Sequence, residues 1–384
     1  MDKKERILIF YDYFFPGYKA GGPVQSLTNL IVALQQRYSF SVITTAYDLM
    51  SDLPYADVAQ NSWNTVSLPK VNETIQVWYA GKGMPSYLIL KQLILQVKPT
   101  FIYINGIYSF RLFLLPILIS RNIPFVKTIV CPRGMLQMGA LSTKLFKKTL
   151  YLKVLLFSGL MNKIKWHATS EEEKDDIVKF FPKHSGIAIA YNIPKVPYPE
   201  INTPVKKEKE LRLVYLSLIA EKKNLFELLT LLVHTENQIS LDIYGPIKDK
   251  EYWSKCKVLI DQMPDKVKYR GEVLPINVQQ TIADYHALVL LTKGENFGHA
   301  LYESLSVGRP IITSFFTPWT HLKENKAGLN IDIKNREECK IMIENFSLLG
   351  QDEYDLYCKG AHQMAVSYFK NIKPDEKYND LFQY

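Results

Sequence analysis

Twice along this chain, short unbroken apolar runs alternate with segments of helical spacing, and a proline-rich break separates the two series. No other feature constrains the fold as strongly. In the first series RILIFYDYFFP (6–16), FSVITTA (40–46), FIYING (101–106) and FVKTIVCP (125–132) read as strands. Between the first two, Leu27, Leu30, Ile31 and Leu34 share one helical face. In the second series LRLVYLSL (211–218), SLDIYG (240–245), VKYRGEV (267–273), ALVLLT (287–292) and RPIITS (309–314) read as strands, with helices over 224–232 and after Gly298. Strands apolar at nearly every position are covered on both faces, and strands separated by helices pair in parallel. The expected class is α/β, with two domains of similar size. The break, IPKVPYPEINTPVKKEKE (193–210), holds four prolines and a charge cluster, the composition of a linker. The expected division is 1–195, a linker over 196–210, a second domain over 211–363, and a final helix over 364–384. A length of 384 residues suits two domains.

Charge is unevenly placed. The net +9 resides in the first half: residues 1–200 hold 23 basic and 13 acidic side chains, and residues 201–384 hold 24 and 25. Residues 74–170 contain 13 Lys or Arg and no carboxylate. Such a block attracts an anionic partner. It is also apolar and lacks an RNA-binding signature, so nucleic acid is the weakest candidate. The block ends in LSTKLFKKTLYLKVLLFSGLMNKIK (141–165), where Lys144, Lys147 and Lys148 fall on one helical face beside Leu145, Leu152 and Leu156. That is the composition of a helix lying on an anionic membrane.

The four cysteines are far apart and form no CxxC pair, which suggests neither a zinc site nor a disulfide framework and fits a reducing compartment. The apolar run over 101–119 is interrupted by Asn105, Arg111 and Pro116, so a strand followed by a helix is expected, not a membrane span. The start lacks the apolar core of a signal peptide. A cytoplasmic protein is expected, touching a membrane from one side only.

The strongest chemical signal begins where ALVLLT ends. Lys293-Gly294-Glu295-Asn296-Phe297-Gly298-His299 leads into a helix, and Glu295 and Glu303 stand eight apart. A glycine at a helix start lets a ligand approach the backbone, and the free N–H groups there suit a diphosphate. A carboxylate accepts two hydrogen bonds, which suits the vicinal diol of a ribose.

GENFGHALYESLSVGRPIITSFFTPW (294–319) resembles the donor-site signature of the fourth family of retaining glycosyltransferases. GGPVQS (21–26), INGIYS (104–109), CPRGML (131–136), HATSEEE (167–173), SLIAEKKNL (217–225), DIYGP (242–246) and YRGEV (269–273) follow that family's order over nearly the whole chain. The resemblance implies a GT-B fold, two facing Rossmann-like domains with a central cleft and the final helix, 364–384, packed back on the first domain. It implies a retaining, metal-independent hexosyltransferase that uses a nucleotide-sugar as substrate and needs no cofactor. Glu303 would bind the ribose, and Glu295 would lie near the sugar hydroxyls. Main-chain N–H groups around Phe297, Gly298 and His299 would hold the pyrophosphate. Lys223, with Lys222 as neighbour, would neutralise the leaving diphosphate. Gly21 and Gly22 would let their loop approach the donor phosphates or acceptor. Arg133 stands where relatives often carry a His near the reacting sugar and would contact phosphate or acceptor as a catalytic residue, and Asn105, on the acceptor side, stands where they often read His-Gly. The acceptor would be a saccharide, on a polyprenyl diphosphate, in bacterial surface polysaccharide synthesis.

One departure stands out: the position where the family usually has an Arg holds Leu218. It motivates a second reading, a lapsed glycosyltransferase that binds without turning over. A nucleotide-sugar epimerase on the same fold is a third, although the His and carboxylate sets suited to epimerisation are not evident.

Overall fold

The computed structural model describes residues 4–69, 74–83, 85–141 and 145–383. They divide into two compact units: Met1–Ile193 with Ile372–Tyr384, and Pro194–Asn371.

The first unit is built on eight strands: β1 (Glu5–Phe10), β2 (Tyr38–Thr45), β3 (Trp63–Val66), β4 (Ile75–Ala80), β5 (Phe101–Asn105), β6 (Lys127–Cys131), β7 (Lys165–Ala168) and β8 (Gly186–Ile189). Their order across the sheet is β3-β4-β2-β1-β5-β6-β7-β8. All neighbours pair in parallel except β3 and β4. Ile7, Leu8, Ile9 and Phe10 of β1 are completely buried, as a strand covered on both faces requires. The chain first steps from β1 outward to β2 and β4, then returns to the other side of β1 through β5. The loops after β1 and β5 therefore diverge to opposite faces. That divergence is where doubly wound sheets bind ligands.

The second unit repeats the plan with six strands: β9 (Glu210–Leu216), β10 (Gln238–Tyr244), β11 (Val267–Gly271), β12 (Ala287–Leu290), β13 (Ile311–Ser314) and β14 (Gly328–Ile331). Their order is β11-β10-β9-β12-β13-β14, with every pair parallel. Here the reversal lies between β9 and β12. All nine strands read from apolar runs are present. Those not read, β3, β4, β7, β8 and β14, lie on the flanks of the sheets, where strands are short or carry polar residues such as Gln76 and Asn330.

Two expected boundaries change. The segment over 196–210 is packed into the second unit: the N–H of Tyr198 donates to the carbonyl of Ser306 at 3.1 Å. The ammonium of Lys206, only 3% exposed, donates to the carbonyls of Ser347 and Leu349. The single helix expected over 364–384 is two. A helix over Gln351–Asn371 belongs to the second unit and one over Pro374–Phe382 to the first. Lys373, at φ 41°, and Pro374 separate them, because proline cannot continue the backbone ladder of a preceding helix. The second helix is fastened to the first sheet by Phe382, whose ring lies 5.1 Å from Tyr38 and 5.3 Å from Phe101.

Candidate functional site

In the second unit the reversal brings together the two loops that the sequence singles out. The loop after β9 runs through a short turn at Glu221–Lys223, and the loop after β12 leads to a helix over His299–Ser306. They are hydrogen-bonded: the N–H of Lys293 donates to the carbonyl of Lys222 at 2.8 Å, and the hydroxyl of Thr292 donates to the same oxygen. The first loop is also pinned from below by Gly245. Its φ is +138°, and a Cβ there would lie 1.9 Å from the carbonyl oxygen of Ser217, so only glycine fits.

This join places Lys223 against Glu295. Their ammonium and carboxylate form an ion pair, with side chains 21% and 13% exposed. The pair is sheltered yet reachable from solvent. Lys222 flanks it, its Cε 3.4 Å from where a Cβ of Gly294 would stand. The N–H of Glu295 donates to the carbonyl of Phe316 at 2.9 Å and holds the loop down.

The helix over His299–Ser306 starts at Gly298, which adopts φ +77° and caps it with no side-chain hydrogen bond. Gly298 thus brings no capping side chain of its own to the helix start, an arrangement that suits an anion. The Phe297 side chain is buried, packed against Tyr302, Tyr368 and Trp319, and its carbonyl accepts from the Trp319 indole at 2.6 Å. Phe297 thus anchors the loop, and only its backbone is offered to a ligand. The ring of His299 lies 4.8 Å from that of Phe297. Glu303 is buried on the same helix and pairs with Lys195, whose ammonium also donates to the carbonyl of Pro275. Lys195 is not among the sequence candidates, because it stands in the proline-rich break. Leu218 lies partly buried in the loop after β9.

In the first unit, Gly21, at φ +69°, precedes the helix over Gly22–Leu34, and nothing stands within 4 Å of where its Cβ would be. The carboxylate of Asp48 accepts from the N–H groups of Tyr18 and Lys19 and fixes the loop after β1. Asp12, at the end of β1, accepts from the hydroxyl of Ser109 at 2.8 Å and so ties together the loops after β1 and β5. Burial raises its carboxyl above the usual range, and the Ser109 hydrogen bond opposes this in part. Asp12 carries no motif that would single it out in sequence.

Arg133 departs from expectation. Its Nε donates to Asn105 Oδ1 at 2.7 Å, one terminal nitrogen to Tyr103 at 3.1 Å and the other to Asn192. The guanidinium is committed within its own unit, clamping the ends of β5 and β6, so it is not poised as a free phosphate contact. Asn105, 4% exposed, serves that clamp. The three lysines on the expected basic face also separate. Lys144 lies outside the described residues. Lys147 is exposed. Lys148 turns inward, donating to the carbonyl of Ala140 and lying 5.5 Å over the Tyr108 ring. No helix among the described residues is long and apolar enough to cross a membrane.

Comparison with known proteins bears on the second unit first. Residues 199–355 match glycosyl transferases group 1. The matched stretch contains both loops of the reversal, with Lys223, Glu295 and Glu303. No curated protein sequence matches the chain significantly. Solved structures extend the likeness to its whole length. Sucrose-phosphate synthase from Thermosynechococcus elongatus aligns at TM-score 0.76 and 13% identity, covering 99% of each chain. Anabaena HepE in complex with UDP and glucose aligns at TM-score 0.71 and 14% identity, covering 98% of this chain and 99% of its own. WaaG, a glycosyltransferase involved in lipopolysaccharide biosynthesis, aligns at TM-score 0.65 and 12% identity over 98% of each chain. At such identities the likeness establishes the fold. The fold is GT-B, built from two Rossmann-like units.

Proposed function

We propose that the protein is a nucleotide-sugar-dependent glycosyltransferase that acts with retention and without a metal. The observation that carries this reading is the Lys223–Glu295 pair beside the glycine-opened helix, at the sheet reversal of the matched segment. The step breaks the anomeric C–O bond, and its electron pair departs on a diphosphate oxygen. The acceptor oxygen forms the new bond, and its proton passes to that diphosphate. Lys223, Lys222 and the N–H groups after Gly298 stabilise the departing charge, a fixed electrostatic arrangement that needs no rearrangement during reaction. Glu295 orients the sugar hydroxyls, and Glu303 accepts from the ribose diol.

The acceptor in this reading is a saccharide on a lipid diphosphate, met at the cytoplasmic face of a membrane during assembly of a bacterial surface polysaccharide. It is supported by the acid-free basic stretch of the first unit and by the likeness to WaaG. A calorimetric screen of UDP-, GDP- and TDP-sugars, followed by transfer assays with the tightest binder, tests it. UDP-sugars come first, because the Anabaena protein was solved with UDP and glucose. Binding followed by transfer is expected. Binding without transfer to any acceptor would favour the lapsed enzyme that Leu218 motivates, and no binding at all would overturn the donor site.

A further inference from the structure

We infer that the helix over Leu145–Phe157 docks the protein onto an anionic bilayer through an outward apolar stripe. Leu152 and Leu155 face the core. On the opposite side Phe146, Leu150, Val154 and Phe157 are 81%, 54%, 58% and 84% exposed. At about 100° per residue these four fall within an arc of roughly 80°. The exposed Lys147 and Lys153 border that arc, one on each side. An exposed aromatic and aliphatic stripe with lysines at its margins matches the lipid interface, where rings sit among headgroups and ammonium groups meet phosphates. Of the residues the sequence pointed to, Lys147 belongs to this face, whereas Lys148 and Leu152 turn inward.

Charge decides the occupant. The helix lies within the 97-residue stretch that has no carboxylate. A second copy of this chain would bring lysine against lysine, whereas an anionic surface complements the face. The inner side of the helix is fastened to the loop after β5, where the Tyr151 hydroxyl donates to the carbonyl of Ile107 at 2.7 Å. The docking face is thus tied to the ligand-binding end of the first sheet. The inference adds to the proposed function the surface from which an acceptor is met. It is tested without donor or acceptor, so the two fail separately.

The experiment is co-sedimentation of the full chain with phosphatidylcholine vesicles, with and without phosphatidylglycerol. Wild type is expected to partition at least about tenfold more onto anionic vesicles, from roughly fivefold per lysine at the surface. Phe146→Ser with Phe157→Ser, and separately Lys147→Glu with Lys153→Glu, should each reduce binding at least about tenfold. Unchanged melting temperatures will show that both variants fold. Phe146→Trp should be quenched by brominated lipid more strongly than the parent tryptophans. Equal binding of wild type and both variants would overturn the inference. So would a dimer in sedimentation velocity that the phenylalanine pair abolishes.

Discussion

The ammonium of Lys195 rests on the buried carboxylate of Glu303, and both residues belong to the second unit. Their side chains are 19% and 4% exposed. Breaking such a pair from one side strands a charge in a poorly solvated place, which typically costs about 3–5 kcal/mol. Lys195→Met should therefore lower stability in urea by roughly 3 kcal/mol. Adding Glu303→Gln should restore part of that loss, because a neutral amide tolerates burial better. A double variant no more stable than Lys195→Met alone would show that the pair is not the cause. A bound nucleotide should raise the melting temperature of Lys195→Met more than that of wild type, since ribose hydroxyls supply the donors that Glu303 has lost.

The Lys223–Glu295 pair makes a kinetic prediction. Lys223→Ala and Glu295→Ala should each reduce transfer at least about tenfold, a modest loss for a contact that stabilises transition-state charge. Because the two touch, the double variant should lose less than the product of the single losses. Unchanged turnover in both single variants would remove them from the chemistry.

Fixed cations at this site predict insensitivity to chelation. Transfer should persist in EDTA, measured with the donor found by the binding screen. Abolition by EDTA with rescue by a divalent ion would overturn the metal-independent step.

Acid should weaken the first unit through His167. Its ring is completely buried, with Tyr103 on one nitrogen and the carbonyl of Ala190 on the other. Burial first, and then Arg133, push it down to about 3. The folded chain thus refuses a proton that the unfolded chain takes below about 6.5. The stability is present above that value and is lost as pH falls toward the folded value. Between pH 6.5 and 5 the loss should be about 2 kcal/mol, and His167→Gln should flatten it. His286 in the second unit is lowered in the same direction, chiefly by burial. Urea unfolding at several pH values checks this, and a His167→Gln profile parallel to wild type would refute it.

Much of the fold was legible because buried parallel strands advertise themselves. A strand such as β1 must be apolar on both faces, so Ile7 to Phe10 reveal it without any long-range information. The loops carrying Lys223 and Glu295 were legible as well, because each directly follows such a strand. The flanking strands were not, since β3, β7, β8 and β14 are only four residues long and polar residues such as Gln76, His167 and Asn330 interrupt the apolar runs. Lys195 was also hidden. Its partner lies 108 positions away, and a lysine among prolines reads as linker. Arg133 stood out through the family resemblance, but its commitment to Asn105, Tyr103 and Asn192 depends on three separate segments meeting.

The sequence alone determined the two α/β series, the break between them and the concentration of positive charge in residues 74–170. These follow from local rules: periodicity reports burial, proline interrupts ladders, and charge is additive along the chain. Only the tertiary structure decided which side of each element faces outward and which distant groups meet. It turned Lys148 inward and Phe146 outward, and it set Lys195 on Glu303. The physical reason is that a side chain's surroundings depend on what packs against its element, and that partner is supplied by another part of the chain.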